Sequence, residues 1–152
     1  MTVESITIGK TQVKPCRIFC IGKNYSDHIR ELNDPDVGSQ SRTADHPVIF
    51  MKPATSIVPP GEPIHVPVHG RTLHHEVEVV VLLNGGGKNI LADDSFQYIA
   101  GITLGLDITL RDVQDGAKKK GHPWELSKSF DHSSPLGQMH SYDGSFDLFN
   151  IS

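Results

Sequence analysis

Cysteine is scarce. Cys16 and Cys20 are the only two in 152 residues, too few for a disulfide scaffold, and a zinc site would need a second ligand pair at set spacing. They read as buried thiols in a reducing compartment. Long apolar runs are missing as well: none approaches the roughly 20 residues that a membrane helix needs. Residues 1–14 carry neither the apolar stretch of a signal peptide nor the Arg-rich amphipathic pattern of a transit peptide. There is no basic excess, since 14 Lys and Arg stand against 18 Asp and Glu for a net charge of −4, which sets nucleic-acid binding aside. No P-loop, G-x-G-x-x-G or G-x-S-x-G motif occurs, and neither does an internal repeat or a low-complexity tract. The GGG at 85–87 reads as a turn and not as a phosphate cradle.

What is present fits one globular domain, residues 1–152. Hydrophobic residues make up 37% and charged residues 21%, enough of the former to bury a core. Proline clusters before residue 70, which suits short strands and ordered turns over long helices. Residues 17–21 (RIFCI) read as a strand. A short helix over 27–33 follows, capped by Asn24 or Ser26. Residues 33–47 are polar and turn-rich, a surface loop of the length usually given to function or disorder. Residues 47–52 (PVIFMK) read as strand. The strongest signal is LHHEVEVVVLL at 73–83, rich in β-branched residues and alternating at Glu76, Val77, Glu78 and Val79. Asn84-Gly85 then predicts a tight hairpin. Phe96 to Ala100 read as the end of a helix, and residues 101–109 (GITLGLDIT) as another strand.

Glu76 and Glu78 stand out because charge is costly to bury and both lie within the most apolar strand. Side chains alternate along a strand, so the two carboxylates share a face. At that separation they repel unless a positive group lies between them. A hard divalent cation is the simplest such group, Mg²⁺ or Mn²⁺ by its oxygen-only ligation. Asp107, at the end of GITLGLD, is a third candidate ligand. The competing reading is an edge strand with both glutamates in water. His28 and Glu31 sit three apart on the predicted helix, within reach of each other. They form either a general-base pair or an ordinary surface pair beside Arg30. Lys128, in PWELSKSFD, either faces a site and binds an anion or is solvated. Lys118, Lys119 and Lys120 read as a solvated charge run, and His74 or His75 as a support beside the glutamates.

Taken together, CIGKNYSDHIRELN, PVIFMKPATSIVPPGEPI, LHHEVEVVVLL and GITLGLDITLRDVQDGAKKKGHPWELSKSFDHSSPLG resemble the fumarylacetoacetate hydrolase family, in its short acylpyruvase and oxaloacetate decarboxylase branch. The resemblance covers about residues 16–137. It implies an α+β fold, a mixed β-sheet roll with short helices on one side. It implies Mg²⁺ or Mn²⁺ held by Glu76, Glu78 and Asp107. His28 and Glu31 become the water-activating pair of a lid, Lys128 meets a substrate oxygen, and Arg111 and Gln114 line the pocket. The family's members continue beyond the segments matched here with further strands, so the resemblance implies a partial catalytic domain, incomplete at its C-terminal side.

The activity so implied is hydrolysis of a C–C bond in acylpyruvates or related 2-oxo acids, through a pyruvate enolate stabilised by the cation. Oxaloacetate decarboxylation and isomerisation or hydration of 2-oxo dienoates are alternatives. So is an inactive chain that serves only as an interaction partner. The expected partners are a small 2-oxo acid and a second copy of the chain. The expected location is the cytoplasm, or the mitochondrion in a eukaryotic source.

Overall fold

Two runs of aliphatic residues, 73–83 and 99–110, pair along nearly their whole length and position everything else. The computed structural model describes residues 4–22, 24 and 47–144. Its strands are β1 (Ile6–Ile8), β2 (Thr11–Val13), β3 (Arg17–Gly22), β4 (Val48–Pro53), β5 (Ile57–Val58), β6 (Leu73–Leu83), β7 (Ile99–Leu110), β8 (Ser134–Pro135) and β9 (His140–Ser141). Two short helices follow β7: α1 (Arg111–Lys120) and α2 (Glu125–Lys128). β6, β7 and β9 form an antiparallel sheet with β7 in the centre. β3 pairs antiparallel with β4, β1 with β2, and β5 runs parallel to β8. This is the expected mixed α+β architecture, and the described residues close no barrel.

The register matters more than the strand count. Glu76 lies opposite Asp107, and Glu78 opposite Gly105. Side chains on β6 alternate as predicted, but the covered face is the charged one. Glu76, Glu78 and Val80 are partly covered and Leu82 is buried, whereas Val77, Val79, Val81 and Leu83 are exposed. Among the described residues β6 is an edge strand, as the competing reading has it, but its glutamates are partly covered and not in water. On β7 the matching inner face carries Thr103, Gly105, Asp107 and Thr109, all buried. Ile57, Val58, Ile108, Leu110 and Met139 supply apolar packing, and much of the remaining interior is polar: Lys52, Ser56, Thr109, Gln114, Ser127, Lys128 and Ser133.

Strands β3, β4, β6 and β7 fall within one or two residues of their predicted bounds. Asn84-Gly85 does not make a tight hairpin. β6 and β7 are joined by residues 84–98, which include a 3₁₀ turn at Ala92–Tyr98, and Asn84 closes the connection by donating its N–H to the Tyr98 carbonyl at 2.9 Å. The reason is compositional. No β-branched run follows Gly85 until Ile99, so there is no strand for a two-residue turn to hand on to. The expected helix end at 96–100 is this 3₁₀ turn running into β7. Cys16 is exposed and only Cys20 is partly buried; Cys16 lies outside the strand that shelters its neighbour. The helix predicted over 27–33, most of the 33–47 loop, and the segment after residue 144 lie outside the described residues. Among the described residues no helix is long and apolar enough to cross a membrane.

Candidate active site

Two carboxylates directly opposite each other on paired strands repel. The fold answers with cations drawn from three other elements. The ammonium of Lys128, at the end of α2, donates to Glu76 Oε2 at 2.7 Å and to Asp107 Oδ2 at 2.5 Å. Arg111, the first residue of α1, donates through Nη2 to Glu76 Oε1. Lys52 of β4 pairs with the other Asp107 oxygen, Oδ1, at 2.7 Å. These side chains are at most 15% exposed, so water screens the charges weakly and each charge depends on its partners.

Local structure explains how the cations arrive. Leu110 ends β7 and the chain turns directly into α1, so Arg111 and Gln114 lie one helical turn apart and both are buried. Arg111 Nη1 donates to Gln114 Oε1 at 2.5 Å and Nε to His74 Nδ1 at 3.4 Å, which spreads one guanidinium over three partners. Asp112 accepts the backbone N–H groups of Arg71 and Thr72 through its carboxylate, tying the start of α1 to the entry of β6. α1 ends at Gly121, whose left-handed φ of 65° lets the Gly121 and His122 N–H groups bond back to Lys118 and Ala117. In α2 the Lys128 ammonium also lies 5.3 Å from the Phe50 ring centroid, a cation–π contact from β4. Ser129 Oγ donates to the Met51 carbonyl at 2.7 Å and fastens α2 to the same strand.

Electrostatics follow from these contacts. Burial pushes the Glu76 carboxyl up, but Lys128 and Arg111 outweigh it and hold the group below the ordinary glutamate value. Burial pulls the Lys52 ammonium down, opposed by the Asp107 charge beside it, and leaves it below the ordinary lysine value. Cys20 of β3 faces the same cluster, and burial together with the Asp107 carboxylate raises its thiol to about 11.

The sequence-based candidates divide as follows. Glu76, Asp107, Arg111, Gln114 and Lys128 are brought together. Glu78 shares their strand face two residues along, opposite Gly105. Among the described residues, no three potential metal ligands are grouped as a metal site. The donor chemistry nevertheless suits a hard divalent cation. It is oxygen-only, comes from two adjacent strands, and has Glu76 and Asp107 already converging on one positive charge. His28 and Glu31 lie outside the described residues. Lys118, Lys119 and Lys120 are exposed, as a solvated run should be. His74 and His75 are exposed too, with His74 supporting Arg111. Lys52 was missed. Its signal is the mirror image of the glutamates' signal: a lysine inside an otherwise apolar strand, VIFMKP.

The profile of the family described as fumarylacetoacetate (FAA) hydrolase C-terminal matches residues 17–148. The mitochondrial oxaloacetate tautomerase of Rattus norvegicus is 45% identical over 119 residues, spanning 78% of this chain and 51% of that protein. The mitochondrial oxaloacetate tautomerase of Caenorhabditis elegans is 42% identical over 121 residues, 80% of this chain and 53% of that protein. Among solved structures, fumarylpyruvate hydrolase from Pseudomonas aeruginosa in complex with Mn²⁺ and pyruvate superposes with a TM-score of 0.78 at 32% identity, covering 91% of this chain and 59% of that one. The chain thus spans about half the length of the curated relatives it matches.

Proposed function

The chain belongs to the fumarylacetoacetate hydrolase family, whose members include the oxaloacetate tautomerases and the fumarylpyruvate hydrolase above, and from that premise we propose that it is a divalent-cation-dependent enzyme of small 2-oxo acids. Glu76, Glu78 and Asp107 would hold Mg²⁺ or Mn²⁺. The observation that carries the reading is the convergence of the Glu76 and Asp107 carboxylates on one cation across β6 and β7. The Mn²⁺ and pyruvate in the Pseudomonas aeruginosa homologue support both the ion and the substrate class.

When bound, such an ion supplies Lewis acidity and a fixed point for a 2-oxo acid to chelate. The chain's own residues do the rest. Arg111, held by Gln114, and Lys128 form a cationic wall that orients the substrate carboxylate. For hydrolysis of an acylpyruvate, His28 steadied by Glu31 takes a proton from water. The hydroxide adds to the distal carbonyl carbon. The C–C bond then breaks, its electron pair stays on the pyruvate fragment as an enolate, and the other fragment leaves as a carboxylic acid. Lys128 stabilises the enolate charge; removing one such preorganised donor costs roughly 2.7–4 kcal/mol in comparable sites. The enolate takes up the proton that His28 removed from water, which yields pyruvate and restores the neutral imidazole.

A second reading is favoured by the higher identity to the oxaloacetate tautomerases. Tautomerisation moves a proton between C3 and the 2-oxo oxygen with both carboxylates kept, and decarboxylation releases CO₂ and leaves the pyruvate enolate described above. Neither needs attacking water, so His28 would act as a proton carrier alone. The oligomer we propose is a homodimer, and the exposed apolar side chains of β6 are a surface that pairing could cover. The mitochondrial relatives support a mitochondrial location in a eukaryotic source.

The test is an assay of the purified chain with Mn²⁺ on acetylpyruvate, fumarylpyruvate and oxaloacetate, following pyruvate release, CO₂ release and decay of the enol absorbance. Turnover of at least one substrate is expected, abolished by EDTA and by Glu76→Gln. Turnover indifferent to both would overturn the reading. Hydrolysis lost in His28→Ala with decarboxylation retained would separate the two activities; equal loss of both would assign His28 the proton-carrier role in each.

A further inference from the structure

Lys52 and Lys128 touch the same carboxylate, yet their surroundings differ. Lys128 bonds to two carboxylates, Glu76 Oε2 and Asp107 Oδ2. Lys52 is 2% exposed and is anchored in backbone: its ammonium donates to the Ser133 carbonyl at 2.6 Å and to the Ile108 carbonyl at 3.4 Å, with Asp107 Oδ1 at 2.7 Å. The two carbonyls take the hydrogen bonds, and Asp107 Oδ1, buried and accepting no hydrogen bond among the described residues, is held by the Lys52 charge as an ion pair. The Ser133 carbonyl is itself pinned, since it also accepts the Ile108 N–H at 3.1 Å. Asp107 is thereby divided. Oδ1 is committed to a fixed cation on β4, and Oδ2 is turned toward Glu76.

We infer that Lys52 is a positioning residue: it claims Oδ1 of Asp107 and so presents Oδ2 alone to a divalent cation shared with Glu76. The inference rests on the cation-dependent reading above. It assigns opposite roles to two lysines that charge alone would make equivalent. Each places one positive charge beside the site, so simple electrostatics has the loss of either one strengthening cation binding. Lys128 fits that rule, because its ammonium holds the very oxygens the ion would use. Lys52 should break it. Without Lys52, Asp107 is free to rotate, and the residues that orient a metal ligand are typically worth 10–100-fold in metal affinity.

The experiment titrates Mn²⁺ alone into the full chain, by calorimetry and by electron paramagnetic resonance of free Mn²⁺, for wild type, Lys52→Met and Lys128→Met. Circular dichroism melts verify that each variant is folded. Lys52→Met should weaken binding about tenfold or more, whereas Lys128→Met should leave it unchanged or tighter. A lysine that merely supports the fold would lower the melting temperature and leave the Mn²⁺ affinity of the folded protein unmoved. Folded Lys52→Met binding Mn²⁺ as tightly as wild type, or more tightly, overturns the positioning role and spares the cation reading. Wild type binding no Mn²⁺ overturns both. Should Lys52→Met fail to fold, a Mn²⁺-soaked crystal of wild type decides. Asp107 on the ion through one oxygen, with Lys52 still at the other, supports the role; both Asp107 oxygens on the ion refute it.

Discussion

Asp107 has two oxygens and an ammonium on each, and Glu76 has an ammonium on one oxygen and a guanidinium on the other. At this scale the site is a balance of nearly buried charges, and breaking one pair shifts the load to the others. Arg111→Met leaves Glu76 with Lys128 and should cost at most about 3 kcal/mol in urea unfolding, the lower end of the penalty for a buried charge left with no partner, and it would also release Gln114 and His74 from their shared partner. Cysteine chemistry gives an independent check on burial. Cys16 is exposed, whereas Cys20 is partly buried and its thiol is raised to about 11. The thiolate is the reactive form. Iodoacetamide at neutral pH followed by peptide mass mapping should show Cys16 modified well before Cys20; equal rates would mean that β3 does not cover its inner face.

Among the elements, α1 carries the site's guanidinium, so its attachment matters. Asp112 holds the Arg71 and Thr72 N–H groups from the helix's first turn. Its carboxyl is slightly desolvated, which raises it, but the backbone N–H donors prevail and hold it below its ordinary value of 3.8. A depressed carboxylate contributes stability that is fully present above the unfolded value and is lost as the pH falls through the folded one. Asp112→Asn should therefore melt below wild type at neutral pH, and the gap should close as the pH drops beneath about 4. A gap independent of pH would place the contribution elsewhere than in the charge. That 73–83 and 101–109 are strands was legible in their composition, and so was the shared face of Glu76 and Glu78, because alternation is a property of the backbone itself. The connection between the strands was not. Asn-Gly favours a tight turn only when a strand follows at once, and here fifteen residues separate the end of β6 from the start of the next one at Ile99.

At the scale of the molecule, two paired-strand faces are apolar and exposed among the described residues. One is Val77, Val79, Val81, Leu83 and Leu104 on β6 and β7; the other is Phe19, Ile21, Ile49 and Met51 on β3 and β4. Contiguous patches of this kind mark surfaces that another polypeptide covers. With a homodimer as the proposed assembly, the double variant Val79→Lys, Val81→Lys should shift sedimentation from dimer toward monomer and lower the binding of a hydrophobic dye, with little change in far-ultraviolet circular dichroism. An unchanged dimer would place the interface on another face.

By itself the sequence determined the four longest strands, the family and the carboxylates that share the inner face. Those signals are local: alternation, β-branched runs and charge where charge is costly. Tertiary structure alone decided which face of β6 is covered, and it is the charged face, the opposite of what hydrophobicity along the strand would assign. It also decided that Lys52, Arg111 and Lys128, from three separate elements, meet two carboxylates on two strands. Such a meeting depends on register and on long-range closure of the chain. A lysine in an apolar strand looks the same whether its ammonium reaches water or a buried aspartate, and only the packing of β4 against β7 separates the two.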